Sequence, residues 1–169
     1  MNKKYIGEVF PEIYKIHDKV LRSNVVDVWL LAMKRGGWKK IEGIPFTLLM
    51  NTKRTLVEHT RAVTRMAMSI ARERHDMDLD IVIAGGLVHD VGKLLEYTQK
   101  KSQFVRSEYG TRIRHPVSGY ALAREAGLPE EVAHIVATHS TEGEKVKRSP
   151  ESILIHHCDF IDFDIEKSR

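Results

Sequence analysis

Between Leu79 and Leu95 the chain is apolar on almost every side, with Ile81, Val82, Ile83, Ala84, Leu87, Val88, Val91 and Leu94 all in one short stretch. Such a segment reads as a helix at the centre of a bundle. Inside it stands the pair His89-Asp90. Burying an unpaired carboxylate costs several kcal/mol or more, so a chain that places aspartate there must also supply it with a cation. Adjacent helical residues project about 100° apart, so both side chains reach one ion only if it lies beside the helix between them.

The same conflict of polarity recurs twice. His59 shares a helical stripe with Leu56, Val63, Met66, Ala67, Ile70 and Ala71 in a segment predicted from Asn51 or Thr52 to Arg74. Asp159 lies four residues after Ile155 and four before Phe163, in a helix predicted from the Ser149-Pro150-Glu151 start to about Asp164. Taken one at a time, His59 reads as a hydrogen-bonded core histidine, Asp90 as an ion pair with Lys93, and Asp159 as a partner of an arginine. Taken together they need separate coincidences on separate helices, whereas a divalent metal satisfies all of them.

The remaining periodicity is also helical. A long helix is predicted over Val9–Arg35 with Pro11 near its start, a loop over Trp38–Met50, a helix over Pro116–Glu125 closed by Gly127, and another from Pro129 to about His139. Residues 97–114 are polar and basic, with a Phe104-Val105 pair that suits a short hairpin. The expected fold is therefore all-α, a compact helical bundle with one small hairpin. It forms a single structural unit in which residues 1–50 make a helical extension packed on a core of residues 51–169.

Composition narrows the function classes. With 169 residues a core is affordable without disulfides, and the single Cys158 permits no intramolecular disulfide, in keeping with a reducing, cytoplasmic setting. No apolar run approaches the ~20 residues of a membrane span, and the start Met1-Asn2-Lys3-Lys4 leads into Glu8, Pro11 and Glu12 rather than a secretory core. The 27 basic residues exceed the 23 acidic ones by only four and are interspersed, which argues against nucleic acid as a partner on charge grounds. A homodimer is the ordinary expectation for a chain of this size.

The order His59, then Leu87-Val88-His89-Asp90-Val91-Gly92-Lys93, then Asp159 resembles the HD-domain superfamily of metal-dependent phosphohydrolases. His115-Pro116-Val117-Ser118-Gly119 and His139-Ser140 resemble the further ligands of its two-metal branch. The resemblance runs from Thr55 to about Asp162. It implies that His59, His89, Asp90 and Asp159 hold one metal, that His115 and His139 complete a second, and that Asp90 bridges them. On their own residue types, His115 reads as a loop residue before proline and His139 as a cation at a helix end.

Imidazole-rich ligation suits one or two divalent transition metal ions, and the resemblance favours iron or manganese over nickel, cobalt or zinc. Two such ions less two aspartates leave a charge of about +2, which calls for an anion such as a small phosphorylated substrate, a nucleotide being the first candidate. Lys93 and Asp90 are then the candidate catalytic residues. Lys93 and Arg114 are the candidate phosphate contacts, with Arg112 more simply read as a solvated surface residue. His156 lies near the Asp159 face as a candidate supporting residue, and Cys158 is not needed as a ligand.

Two other readings share parts of the pattern. The same ligand order, lysine included, resembles di-iron oxygenases that cleave inositol or organophosphonates. The spacings of 25 residues from Asp90 to His115 and 20 from His139 to Asp159 look closer to the hydrolases. A catalytically silent nucleotide-binding module is the third.

Overall fold

A computed structural model describes residues 2–169. The N-terminal apolar pattern makes two helices rather than the one predicted over Val9–Arg35. Helix α1 covers Lys3–Val9, Pro11 opens a 3₁₀ turn over Pro11–Lys15, and α2 covers Lys19–Gly36. The break has a local cause. Ile16 is extended, and the Asp18 carboxylate accepts the N–H groups of Val20 and Leu21 at 2.7 and 2.8 Å, capping a fresh helix. Gly37, at φ +74°, ends α2 in the left-handed region.

Helix α3 spans Leu56–Arg74 and starts later than predicted, because Thr55 and Glu58 close a capping box around its first turn. The preceding residues run as an irregular arm, tied down where Phe46 donates its N–H to the Arg54 carbonyl. Helix α4, Leu79–Val88, is capped by Asp78 and stops just before the His-Asp pair. The predicted continuation to Leu95 fails because His89 Nδ1 takes the Gly86 carbonyl at 2.7 Å, the acceptor a continuing helix would offer Asp90. Residues 89–92 form a tight turn instead, and one further helical turn, α5, covers Lys93–Glu96.

The expected hairpin is present as β1, Tyr97–Lys100, and β2, Gln103–Arg106, paired antiparallel with Tyr97 opposite Arg106. Helix α6 covers His115–Glu125, so the residue before Pro116 sits at its first position instead of in the loop. Helix α7, Glu130–Thr138, and α8, Pro150–Lys167, complete the bundle, with a 3₁₀ turn at Thr141–Lys145 between them.

Helix α4 is the axis against which α2, α3, α7 and α8 pack. Gly86 lets α3 approach, since a side chain there would meet Thr64, and Gly85 makes room for Ile135 of α7. The N-terminal helices share one apolar core with α4, in which Trp29 is fully buried and its indole N–H donates to the Leu87 carbonyl at 3.0 Å. A second cluster, including Val63, Val82, Ile135 and Ile155, joins α3, α4, α7 and α8. No helix among the described residues is long and apolar enough to cross a membrane.

Candidate metal centre

The end of α4 delivers His89 and Asp90 to one point, and the surrounding elements bring the other candidates to it. His59 comes from the first turn of α3, His115 from the start of α6, His139 from the end of α7 and Asp159 from the middle of α8. The six residues fall into two groups, His59 with His89 and Asp159, and Asp90 with His115 and His139. Within each group the donor atoms lie within 4.8 Å of one another. Asp90 divides between them. Its Oδ2 lies 3.4 Å from Nε2 of both His59 and His89, while its Oδ1 lies 3.3 Å from Nε2 of His115 and 3.6 Å from Nε2 of His139.

Each histidine turns Nδ1 outward to a protein acceptor and Nε2 inward. His59 Nδ1 lies 2.7 Å from Asp162 Oδ2, and His115 Nδ1 lies 2.9 Å from Glu96 Oε2. His89 and His139 donate from Nδ1 to the carbonyls of Gly86 and Val136 at 2.7 and 2.9 Å. An imidazole that donates from Nδ1 presents a lone pair at Nε2, the arrangement of metal-bound histidine. His139 Nε2 is buried with no hydrogen-bond partner among the described residues, and His59 and His89 bring their Nε2 atoms within 3.3 Å. Bonds of about 2.1 Å to one ion give ligand-to-ligand edges of about 3.0–3.4 Å, so this donor set fits divalent transition metals.

The carboxylates around the centre also set the charge of its histidines. Burial alone would depress the His59 pKa, but the hydrogen bonds its ring donates to Asp159, Asp162 and Asp90 outweigh it and push the value up to about 10. Its Nε2 is then 3.0 Å from Asp159 Oδ1. Burial resists ionisation of Asp90 and Asp159 as well; Lys93 and His89 beside the first, and the hydrogen bond from His59 to the second, hold both well below the usual carboxylate range. At His115 burial wins over the hydrogen bond to Glu96, and the pKa falls to about 4, which keeps this ring neutral.

Lys93 is not the solvated lysine its sequence position would allow. It is buried, with Nζ 2.6 Å from both Asp90 Oδ2 and the carbonyl of Phe46. Burial lowers its pKa, but the Asp90 charge more than reverses this, so the side chain stays an ammonium. A cleft of about 260 Å³ opens over Asp90, Lys93, His115 and Asp159, walled by Phe46, Phe160 and Phe163. Arg114 lines it, with Nε 3.5 Å from Glu142 and 3.8 Å from Glu96. Arg112 instead pairs with exposed Glu108 at 3.3 Å.

Sequence reasoning missed Asp162 and Glu96. Asp162 is one turn after Asp159 on α8 and also takes Arg54 through Nε and Nη2, at 2.8 and 2.5 Å. That i, i+3 spacing was the available signal. Glu96 receives both the backbone N–H and the ring of His115, a contact that depends on the α5–α6 packing and left no mark in the sequence. His156 reaches the backbone beside the site, with Nδ1 2.6 Å from the His139 carbonyl. Cys158 is fully buried and its thiol is pushed up to about 11 by burial and the neighbouring Asp159.

The family model described as HD domain matches residues 56–164, a span that holds all six residues. A dihydroneopterin 2',3'-cyclic phosphate phosphodiesterase from Methanocaldococcus jannaschii is 29% identical over 116 residues, 65% of this chain and 47% of that protein. Ribonuclease Y from Pseudothermotoga lettingae is 29% identical over 104 residues, 62% of this chain and 18% of its own length. Ribonuclease Y from Acidothermus cellulolyticus is 30% identical over 106 residues, again 18% of its length. The match thus spans about half of the first relative and less than a fifth of the other two. No solved structure matches significantly. The match over residues 56–164 and the paired histidine and aspartate groups agree, and the chain belongs to the HD-domain family.

Proposed function

We propose that this chain hydrolyses a phosphate ester or anhydride in a small phosphorylated metabolite, with a nucleotide as the first candidate, using two divalent transition metal ions. The observation that carries the reading is the convergence of four inward Nε2 atoms on the two oxygens of Asp90. His59, His89 and Asp159 would hold one ion, His115 and His139 the other, and Asp90 would touch both. Iron or manganese suits the mixed imidazole and carboxylate set, and the cytoplasm would keep Cys158 reduced. Such ions act as Lewis acids on a phosphoryl oxygen and lower the pKa of water from 15.7 to about 7.

The protein's own groups account for the rest. Lys93 stands at Asp90, whose carboxylate secures its charge against the cost of burial, a fixed cation for a phosphate oxygen. Its second hydrogen bond, to the Phe46 carbonyl, holds the ammonium at the cleft floor. Asp162, Glu96 and the carbonyls of Gly86 and Val136 fix the four imidazole rings, so they need no reorganisation when the site is loaded. Support from relatives is of the same kind, since two names among them denote phosphoester-cleaving enzymes, one acting on a cyclic phosphate.

The test is protein purified without chelators or nickel-affinity steps, analysed for metal, then assayed against nucleotides, cyclic phosphates and phosphate monoesters, with oxygen uptake followed in parallel under iron. Two metals per chain and phosphoester cleavage that disappears in Asp90→Ala are expected. Absence of transition metal overturns the reading, and oxygen uptake without phosphoester cleavage replaces it with the oxygenase.

A further inference from the structure

Two arginines from different elements share one buried carboxylate at the cleft. Arg106 ends β2 and Arg114 immediately precedes α6, and their Nε atoms lie 3.7 and 3.8 Å from Oε1 of Glu96. The other oxygen of Glu96 is fully engaged by His115, through its N–H at 2.6 Å and Nδ1 at 2.9 Å. Glu96, 2% exposed, therefore lies between the Asp90 centre and the arginine pair. Both arginine side chains are about two fifths exposed and both line the cleft. Arg114 Nε, 3.5 Å from Glu142, is buried without a hydrogen-bond partner, and no hydrogen bond engages the Arg106 guanidinium among the described residues. Its terminal nitrogens are open to an oxyanion, which a guanidinium binds through two parallel hydrogen bonds.

The centre itself does not require this second cationic pole. Lys93 already stands 2.6 Å from Asp90, and an imidazole and a carboxylate intervene between Asp90 and the arginines. The same cleft is also lined by Phe46, Phe160 and Phe163. We infer that Arg106, with Arg114, binds a second anionic group of the substrate, distinct from the phosphate that is hydrolysed. Arg106 is then a specificity-determining residue, and the substrate class is a small molecule with a phosphate at one end and a second oxyanion at the other. This deepens the hydrolase reading and rests on it.

The experiment compares two non-hydrolysable probes, propylphosphonate and propane-1,3-diphosphonate, binding to the full metal-loaded chain by titration calorimetry. The wild-type protein should bind the diphosphonate about tenfold or more tightly than the monophosphonate, the usual worth of one charge-assisted hydrogen-bonded contact. Arg106→Ala should bring that ratio close to one with its metal content intact, and Arg106→Lys, which keeps the charge but loses the fork, should fall between. Arg112→Ala, on the exposed Glu108 pair, should keep the wild-type ratio. A wild-type ratio near one, a ratio unchanged in Arg106→Ala, or an equal loss in Arg112→Ala overturns the assignment. An Arg106-dependent ratio in a protein that cleaves no phosphoester overturns the hydrolase reading and leaves the anion site standing.

Discussion

Asp162 accepts the Nδ1 hydrogen of His59 at 2.7 Å while Arg54 clamps the same carboxylate from the other side. Asp162 itself stays outside both donor groups, so its role is to hold the ring and make Nε2 a better donor. In Asp162→Asn the metal held by His59 should bind about 10–100-fold more weakly, the usual cost of losing such a supporting partner. A competitive chelator titration measures it, and unchanged affinity in a folded variant would falsify the role.

Glu96 does the corresponding work on the other side of Asp90, through His115. Because the two carboxylates support rings from different donor groups, their variants should be separable. Glu96→Gln should retain one metal per chain and lose the other on mild chelation, whereas wild-type protein keeps both. Loss of both ions together in this variant would mean that the two groups do not bind independently.

How much of this was readable beforehand follows from which forces act locally. Polar residues on apolar faces made His59, Asp90 and Asp159 conspicuous, because the cost of burying them is paid wherever the helix packs. His115 and His139 lack that contrast and were reached through the family pattern alone. The helix break at His89 was invisible because it depends on one side chain taking the Gly86 carbonyl, a choice that apolar periodicity does not record. Asp18, by contrast, is an ordinary helix cap, a residue type that marks the start of a second N-terminal helix in the sequence itself.

The metal-free protein should lose stability between pH 7 and 9. His59 has a folded pKa of about 10 against an ordinary value of 6.5, so its contribution is complete below 6.5 and declines as pH rises towards 10. His115, held at about 4, titrates below this window. The ion replaces the His59 proton, so metal binding should release about one proton and strengthen with pH over the same range. Calorimetry in buffers of different ionisation enthalpy counts that proton. A melting temperature that rises from pH 7 to 9 in the stripped protein contradicts the assignment.

Lys93→Met separates charge from packing, since methionine retains much of the buried stem. Phosphoester cleavage should fall about 10²–10³-fold, the loss typical of a fixed charge-stabilising donor. Two metals should remain, because Lys93 belongs to neither donor group. Loss of the Phe46 and Asp90 hydrogen bonds should cost about 1–3 kcal/mol of stability. Metal loss in parallel with activity would assign Lys93 to holding Asp90 in place.

Gly92 is the sharpest steric requirement of the turn that carries the centre. A methyl group there would fall on the carbonyl oxygen of His115 and within 2.7 Å of the Gly119 nitrogen, both backbone atoms of α6 that cannot swing aside. The glycine is needed for close approach and not for an unusual backbone angle, its φ being −64°. Gly92→Ala must push α6 away and carry His115 with it, since that residue begins the helix. Overpacking of this kind costs about 1–3 kcal/mol, or roughly 2–12 °C in Tm for a chain of this length. The displacement of His115 adds a second readout: the variant should hold fewer than two metals at temperatures where circular dichroism shows it fully folded. A folded Gly92→Ala protein with both metals and unchanged Tm would mean that α6 yields without moving the ligand.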